Sequence, residues 1–266
     1  LYGEHGIDIT KEPLRIAVCA QHNNGGISVD SDWQTNVTGL YAAGECAGTF
    51  GVFRPGGTAL NSTQVGSLRA AEHIAYRAGN HIAGDADALL ESAADEIMKL
   101  IGETKGVVSA VRDNRRRYQE TMSRDFSFIR DKANMRGSLA DIIESIQRFA
   151  ETERWRDPSD IPELLKNLGI VTMQTAVAAS ILYSAEQFGS RGSAMVIDGG
   201  SFMDRNPEKE NEKGKAVAVT AVKDGVGAAV SSRPVRPIPD RELWFEKVWN
   251  EYNKITEKRS DQDPVK

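Results

Sequence analysis

Cysteine is scarce in this chain, with only Cys19 and Cys46 among 266 residues. Two thiols form no disulfide framework, and by themselves they cannot hold a zinc ion or an iron–sulfur cluster. An excess of one charge is also lacking, because 33 basic residues stand against 38 acidic residues. The net charge of −5 gives no electrostatic reason to expect nucleic acid or an anionic membrane as a partner.

Long hydrophobic runs are missing as well. The most apolar stretch, residues 170–183, is too short for an unbroken bilayer span and is typical of a buried helix. It is interrupted by Thr172, Gln174, Thr175 and Ser180. With 40% hydrophobic and 27% charged residues, the composition is that of an ordinary folded protein. We expect a cytoplasmic protein with no metal site, no nucleic-acid partner and no membrane insertion.

An initiating methionine is absent. The chain begins with Leu1, no signal-peptide pattern follows, and its opening residues have the character of the interior of a folded domain. We therefore expect the chain to be the carboxyl-terminal part of a longer polypeptide.

Residues 1–84 are rich in glycine and contain short apolar runs, such as residues 40–43, that predict buried strands separated by loops. A helix is predicted to follow the glycine-rich loop, with Asn61 as its N-cap and Gln64 as the capping partner. The predicted apolar stripe of this helix consists of Val65, Leu68, Ala71 and Ala75.

Residues 85–189 change to helical spacing. One predicted apolar face consists of Leu89, Leu90, Ala93, Ile97 and Leu100, and a second of Leu139, Ile142, Ile143, Ile146 and Phe149. Ser138 and Asp141 are predicted to cap the second helix. The basic run at residues 115–117 is predicted to lie on a solvated helix face. The nearly all-apolar residues 170–185 are predicted to form the central helix.

Residues 190–266 change to strands. Two apolar runs around Asp224 and Gly225 predict a β-hairpin. Gly225 and Gly227 also begin like a dinucleotide-binding fingerprint, but the third glycine is missing and three prolines forbid the helix that should follow. A short amphipathic helix is predicted near the end of the chain, with an apolar face of Leu243, Trp244, Val248, Trp249 and Tyr252.

The most informative segment, TNVTGLYAAGE, covers residues 35–45. A predicted buried strand delivers Glu45 directly after Gly44, so a carboxylate emerges at a sheet end where backbone can approach a ligand closely. A sugar or ribityl hydroxyl suits that carboxylate. The segment resembles the second FAD-binding motif of many flavoproteins, T-x-x-x-G-h-Y-A-h-G-D/E. The resemblance implies that Gly44 and Glu45 bind FAD, with Glu45 on the ribityl chain.

A second motif, RPGGTAL, covers residues 54–60 and leads into the predicted helix. It is similar to the R-x-G-S-N-S-L loop of the succinate dehydrogenase/fumarate reductase flavoproteins and L-aspartate oxidases. N–H groups at a helix amino terminus stabilise the negative charge that a reduced flavin gains near N1 and O2. The resemblance implies that Arg54 holds a substrate carboxylate. The implied cofactor-binding residues of this loop are Thr58, Ala59, Leu60 and Asn61.

Residues 19–27 resemble a third segment of that family, H-Y-T-M-G-G, whose histidine binds substrate carboxylate. Gly25 and Gly26 match its glycines, which places Gln21 where the family has histidine and His22 one position later. Adjacent residues of an extended segment point to opposite sides, so His22 is a candidate whose direction stays open. The chain departs from the dicarboxylate enzymes at this histidine position and at residues 57–59, which replace Ser-Asn-Ser. The identity of the substrate therefore stays open. Cys46 is predicted to be a small buried residue.

The resemblance implies an α+β fold. Residues 1–84 would be a remnant of a flavin-binding α/β domain, residues 85–189 a helical domain, and residues 190–266 a hairpin and a terminal helix. The implied activity is that of an FAD-dependent oxidoreductase, which transfers hydride between the flavin and a small organic acid. The chain alone is expected to be inactive, because the amino-terminal half that binds the nucleotide is missing.

Two alternatives stay open: a non-catalytic helical interaction module, and one subunit of a split flavoenzyme. The apolar character of the predicted strand at residues 40–43 is typical of a strand that is covered on both faces. This chain has few other strands that could cover it. Self-association through an exposed sheet edge is therefore expected.

Overall fold

A computed structural model gives the fold of the chain. It describes residues 2–11, 13–14, 22, 24–51, 54, 56–76, 86–192, 194–197, 208–235, 247–252 and 254. The chain forms two compact units, residues 1–233 and residues 234–266. The predictions that concern Cys19, Gln21, Leu243 and Trp244 lie outside the described residues.

The first part of the larger unit is irregular. Up to residue 57, its described residues form two short 3-10 helices, Gly3–His5 and Gly44–Cys46, and isolated β-bridges. The buried strand expected at residues 40–43 is wrong: one antiparallel bridge joins Gln34 to Tyr41, and Leu40 is 52% exposed. Among the described residues, only residues 33–35 form strand-like backbone hydrogen bonds with residues 40–43. The described chain therefore has no strand on the other side of this segment.

Helix α1, Thr58–Tyr76, follows the glycine-rich loop as expected. It begins three residues before Asn61, so Asn61 lies inside the first turn and is not the N-cap. The predicted apolar stripe is also wrong. Gly66 and Ala70 are the buried residues of the helix, because the ring of Trp33 lies against Gly66 and decides which face is covered.

Helix α2, Ala86–Glu103, forms where helical spacing begins. Its predicted apolar face is buried only toward the end of the helix, where Leu100 and Ile101 pack against the core. Leu89 and Leu90, near the start, are exposed. Periodicity predicts which residues of α2 share a face, but it does not show which part of that face has a neighbour. In the described chain, only the last turns of α2 pack against the helical core.

Four further helices build the helical core: α3 (Val111–Asp125), α4 (Lys132–Gln147), α5 (Phe149–Thr152) and α6 (Ile161–Phe188). α6 packs against both α3 and α4, which confirms the prediction of a central helix at residues 170–185. The second predicted face is largely confirmed. The core contains Val111, Tyr118, Met135, Ile142, Phe149, Leu164, Val171 and Ala178, with Leu139 and Ile146 packed against it.

Helix α4 begins earlier than its sequence pattern predicts. Asp131 is the N-cap, and its Oδ1 accepts hydrogen bonds from the backbone N–H groups of Ala133 (2.9 Å) and Asn134 (3.2 Å). The predicted capping pair of Ser138 and Asp141 is therefore wrong. Ser138 is buried in the helix, where its hydroxyl donates to Asp125 of α3 across the packed interface.

The basic run divides between surface and interior. Arg116 and Arg117 are exposed, as predicted, but Arg115 is part-buried and joins α3 to α6. Its Nε donates to Asn167 Oδ1 at 2.8 Å, and its guanidinium pairs with Glu163. A run of like charges does not reveal which member faces a neighbouring helix, because that depends on the direction of packing.

The segment Pro158–Phe188, which contains α6, is long and apolar enough to cross a membrane by length and composition, a criterion that core helices also meet. The hydrogen bonds of its polar side chains indicate that α6 is a core helix. Asn167 Nδ2 donates to Val111 O at 2.7 Å, and Gln174 Nε2 donates to Tyr118 O at 2.8 Å. Both side chains are buried against α3, so α6 is a packed helix within this fold.

The described chain also contains two small sheets. β1 (Ile129–Asp131) pairs in parallel with β2 (Met195–Ile197). β3 (Val217–Asp224) and β4 (Gly227–Pro234) form a two-stranded sheet. Gly225 and Val226 connect them, and Gly225 has the positive φ of 56° that such a turn favours. The hairpin is confirmed, and a strand follows Gly227 where a nucleotide fingerprint would require a helix.

In the second unit, residues 247–252 are helical, and the rings of Trp249 and Tyr252 stack with centroids 5.8 Å apart. The described chain combines many helices with two small sheets, which confirms the α+β class in its coarse form. The division at residues 84 and 189 stays a prediction.

Candidate functional site

Two glycine-containing segments cross beside the candidate residues. Ile27 N donates to Cys46 O at 2.8 Å, and Gly48 N donates to Ile27 O at 2.8 Å, which forms a parallel bridge between Ile27 and Ala47. A Cβ on Gly26 would lie 2.3 Å from Cys46 O, so the two backbones approach more closely than any side chain permits. This backbone bridge holds the segment that contains His22 next to the segment that contains Glu45.

Replacing Gly26 by alanine is expected to lower the free energy of unfolding by about 1–3 kcal/mol, because backbone must move to admit the methyl group. Gly25 provides a matched control, since a Cβ there meets nothing within 4 Å. Thermal denaturation of Gly26→Ala and Gly25→Ala measures the difference. Equal melting temperatures for the two variants would contradict the close crossing.

Glu45 lies in the 3-10 turn Gly44–Cys46, which packs against α1. Gly44 has φ 79°, a conformation that favours glycine, and a Cβ placed there would lie 3.9 Å from Thr63 Cγ2 of α1. The carboxylate of Glu45 is exposed. The sequence motif thus forms a tight turn against the first half of α1, in place of the predicted strand end.

The amino end of α1 is exposed within the part of the chain that the structure describes. Thr58 and Ala59 are partly exposed, Asn61 is exposed, and Leu60 is 73% exposed. A Cβ added to Gly56 or Gly57 would meet none of the described residues within 4 Å. The first-turn N–H groups of a helix have no intrahelical partners and attract negative charge. These residues fit the electron-rich edge of a flavin.

Arg54 and His22, the two predicted substrate residues, lie together. Arg54 Nε donates to Asn24 Oδ1 at 3.0 Å, and His22 Nδ1 lies 3.2 Å from the same oxygen. The ring of Phe50 lies beside both, with its centroid 5.3 Å from that of the His22 imidazole and 5.6 Å from Arg54 Cζ. His22 and Arg54 therefore lie on the same side of Asn24. That His22 faces a substrate stays a prediction.

The shared oxygen of Asn24 defines a tautomer of His22. Arg54 Nε can only donate, so the Asn24 atom that it contacts must be the acceptor oxygen. His22 Nδ1 then has to donate to that oxygen as well. In the neutral imidazole the proton lies on Nδ1, and Nε2 is left as the basic nitrogen.

Neighbouring residues Thr49 and Phe50 join the two halves of the site. Thr49 Oγ1 lies 3.0 Å from Ser62 Oγ of α1, whereas Phe50 contacts His22 and Arg54. Because consecutive residues are about 3.8 Å apart, the pair of Arg54 and His22 and the start of α1 belong to one region.

Sequence reasoning missed Asn24 and Phe50. A signal existed for Asn24, because residues two apart on an extended segment share a side, and Asn24 stands two residues after His22. No local pattern marks Phe50. Cys46 is exposed, so its prediction as a buried residue is wrong. Its Sγ donates to Ala43 O at 3.1 Å, which keeps the thiol on the outer side of the turn.

Comparisons with known proteins find similarity to flavoproteins. Residues 2–60 match the family model of the FAD binding domain. A polypeptide of the CoM/CoB fumarate reductase of Methanothermobacter marburgensis is 28% identical over 207 residues, 76% of this chain and 36% of that protein. This chain resembles the fumarate reductase flavoprotein family. The L-aspartate oxidase of Streptomyces coelicolor is 40% identical over 82 residues, 30% of this chain and 14% of that protein.

A solved structure shares the fold. The FrdA chain of E. coli quinol fumarate reductase superposes with a TM-score of 0.70 and 23% identity, covering 91% of this chain and 41% of that chain. At that identity the likeness shows the fold alone. The chain spans about a third of the length of the relatives that it matches over the longest stretches. The predicted resemblance to the fumarate reductase family and to L-aspartate oxidases is confirmed, and FAD is the cofactor of that family.

Proposed function

We propose that this chain contributes the ribityl and isoalloxazine side of an FAD site, together with the anion-binding residues, in an oxidoreductase that acts on a small organic acid. One observation carries the proposal: the Glu45 turn packs against α1, while Arg54 and His22 converge on Asn24 beside the same region. A large distance between the Glu45 turn and the amino end of α1 would have contradicted the proposal. The nucleotide-binding half would come from elsewhere in the complete protein.

Each group has a role that follows from its chemistry. Glu45 accepts a hydrogen bond from a ribityl hydroxyl, and the N–H groups of residues 58–61 face the electron-rich edge of the ring. Arg54 offers a two-pronged donor to a substrate carboxylate, and Asn24 holds its Nε in place. His22, with its proton on Nδ1, presents Nε2 as an acceptor. FAD, when bound, supplies hydride transfer.

A partner polypeptide or a second copy of the chain stays part of the proposal. It is supported by apolar side chains that the described chain leaves exposed on two helices: Leu60 and Leu68 of α1, and Leu89, Leu90 and Met98 of α2. The same observation favours the second candidate, one subunit of a split flavoenzyme, because such a polypeptide would expose the faces that its partner covers.

Replacing Glu45 by alanine is expected to weaken FAD binding by about 10- to 100-fold, since a hydrogen bond to a charged acceptor contributes roughly 1.5–3 kcal/mol. The protein for this test joins the chain to its nucleotide-binding half, on one polypeptide or on two. Flavin absorbance after dialysis and titration with FAD measure occupancy and affinity.

Glu72→Ala is the control for the Glu45 variant, because Glu72 is an exposed carboxylate on α1 that the proposal leaves unused. Glu72→Ala should bind FAD as the unaltered protein does. Equal FAD affinity in Glu45→Ala and Glu72→Ala would refute the role of Glu45. An assembled protein that takes up no FAD would instead support the non-catalytic interaction module.

A further inference from the structure

The indole of Trp33 lies directly against the backbone of α1. A Cβ built on Gly66 would lie 2.5 Å from Cε2 of the indole and closer still to its Nε1, so any other residue at position 66 would displace the ring or the helix. Arg69, three residues later on the same face of α1, has its Cζ 6.0 Å from the ring centroid. Its Nη1 donates to Ser31 O at 3.1 Å, so α1 holds both the ring and the turn that carries it.

This contact is unfavourable for Trp33 itself in two respects. Among the described residues, Trp33 is the one non-glycine residue with a positive φ, 62°, a conformation that a bulky side chain disfavours. Its Nε1 is buried and has no hydrogen-bond partner among the described residues, which costs free energy as well. Strained residues persist where the surrounding contacts impose them, and they concentrate at functional sites. Trp33 is therefore a candidate for a functional role.

The turn around Trp33 is well held and leads to the candidate flavin site. Asp30 Oδ1 accepts hydrogen bonds from the backbone N–H groups of the two residues that flank Trp33, at 2.8 Å and 3.0 Å. Trp33 O accepts from Ala42 N at 3.1 Å. Ala42 stands three residues before Glu45, so the chain that carries the indole is joined by a short stretch of backbone to the turn that carries the carboxylate.

Two contacts thus fix α1 beside Glu45. The Glu45 turn approaches α1 at Thr63, and the indole meets it at Gly66, about 4.5 Å further along the helix axis. The first residue of α1, Thr58, lies about 12 Å before Gly66 along the same axis, at 1.5 Å per residue. A small tilt of the helix at Gly66 therefore moves the N–H groups of the first turn relative to the Glu45 turn.

We propose that Trp33 is a positioning residue of the flavin site: its indole, packed against Gly66, sets the tilt of α1 and thereby the place of the first-turn N–H groups. This role rests on the proposed FAD site, because those N–H groups are the ones assigned to the electron-rich edge of the ring. They stabilise the negative charge that a reduced flavin gains, so a displaced α1 should bind reduced flavin less well relative to oxidised flavin. The reduction potential of the bound flavin therefore reports the position of α1.

Trp33→Ala tests the role in the protein assembled with its nucleotide-binding half. Alanine keeps a Cβ and with it the backbone preference of the turn, so the change removes the ring. The affinity for reduced flavin relative to oxidised flavin should fall at least about tenfold, which lowers the potential of a two-electron couple by about 30 mV. Spectroscopic titration against redox dyes measures the potential. Trp33→Phe keeps part of the ring, should fold, and should show a smaller shift in the same direction.

Two further variants separate positioning from a loss of stability. Gly66→Ala should lower the potential as well, but it should add no further shift in the Trp33→Ala background, where the ring that it displaces is gone. Glu153→Ala, a change at a side chain that is 0% exposed in the helical core, should leave the potential unchanged.

An unchanged potential in both Trp33 variants would overturn the positioning role and leave the FAD site standing. An equal shift in Glu153→Ala would also overturn it, because general loosening would then explain the effect. If the unaltered assembled protein takes up no FAD, the proposed function and the role of Trp33 fail together.

Discussion

Replacing Arg54 by glutamine is expected to lower kcat/KM for the organic acid roughly 100- to 1,000-fold in the FAD-loaded protein. The neutral amide cannot match a carboxylate with a charged pair of donors, and substrate would lose the group that orients it. FAD content should stay unchanged, because the proposed cofactor residues are Glu45 and those at the start of α1. Steady-state assays with a reduced dye, combined with flavin absorbance, measure both quantities.

Arg116→Gln is the control for the Arg54 variant, since Arg116 is an exposed arginine on α3, outside the candidate site. It should keep full activity. Arg54→Lys keeps the charge without the two-pronged geometry and should recover only part of the rate. If Arg54→Gln retains the activity of Arg116→Gln, the arginine does not bind substrate, and Arg54 is then an ordinary loop residue held by Asn24.

Asn24 offers an independent test of the same geometry, because it positions Arg54 and defines the tautomer of His22. Asn24→Ala should raise KM more than it lowers kcat. A structural effect alone would lower the yield of folded protein and leave the KM of the folded enzyme unchanged.

Replacing Glu153 by alanine is expected to lower the free energy of unfolding by about 2–4 kcal/mol. Glu153 is 0% exposed and connects α3 to α6. Its Oε1 accepts from Tyr118 OH at 2.8 Å, and its two oxygens lie 3.3 Å and 3.2 Å from Asn167 Nδ2. Burial, reinforced by this carboxylate, raises the pKa of Tyr118 well above its ordinary value, so the phenol remains a donor. Without Glu153, the phenol loses its buried acceptor.

Urea denaturation measures that loss, and Glu151→Ala is the control. Glu151 stands two residues away, is exposed and pairs with Arg148 at 2.8 Å on the surface. Exposed pairs contribute roughly 0–1 kcal/mol, so its removal should cost little. If the two variants unfold at the same urea concentration, Glu153 does not hold the helices together, and the apolar contacts of α3 and α6 carry that interface alone.

Local features could be predicted from the sequence. Gly44-Glu45 and the arginine loop before α1 are short motifs, and they indicated the family resemblance from residues a few positions apart. The hairpin at Gly225 was predicted for the same reason, because turn residues act within four positions. The helical core was also predictable. Its apolar residues recur at helical spacing through residues 139–182, and a helix with so wide an apolar surface has to be buried.

Contacts between residues far apart in the chain could not be predicted from the sequence. The buried face of α1 follows from Trp33, which lies against Gly66 some thirty positions later. The side on which α2 and Arg115 meet their neighbours depends likewise on helices far along the chain. Asn24 joins His22 to Arg54 across thirty positions for the same reason.

By itself, then, the sequence determined which residues carry charge, turns and helical periodicity, and through its motifs the family that the chain resembles. Tertiary structure alone decided which helix faces are covered, where the Glu45 turn lies against α1, and that Arg54 and His22 meet at one oxygen. The physical reason is that backbone preferences act over a few residues, whereas packing selects among faces that are locally equivalent.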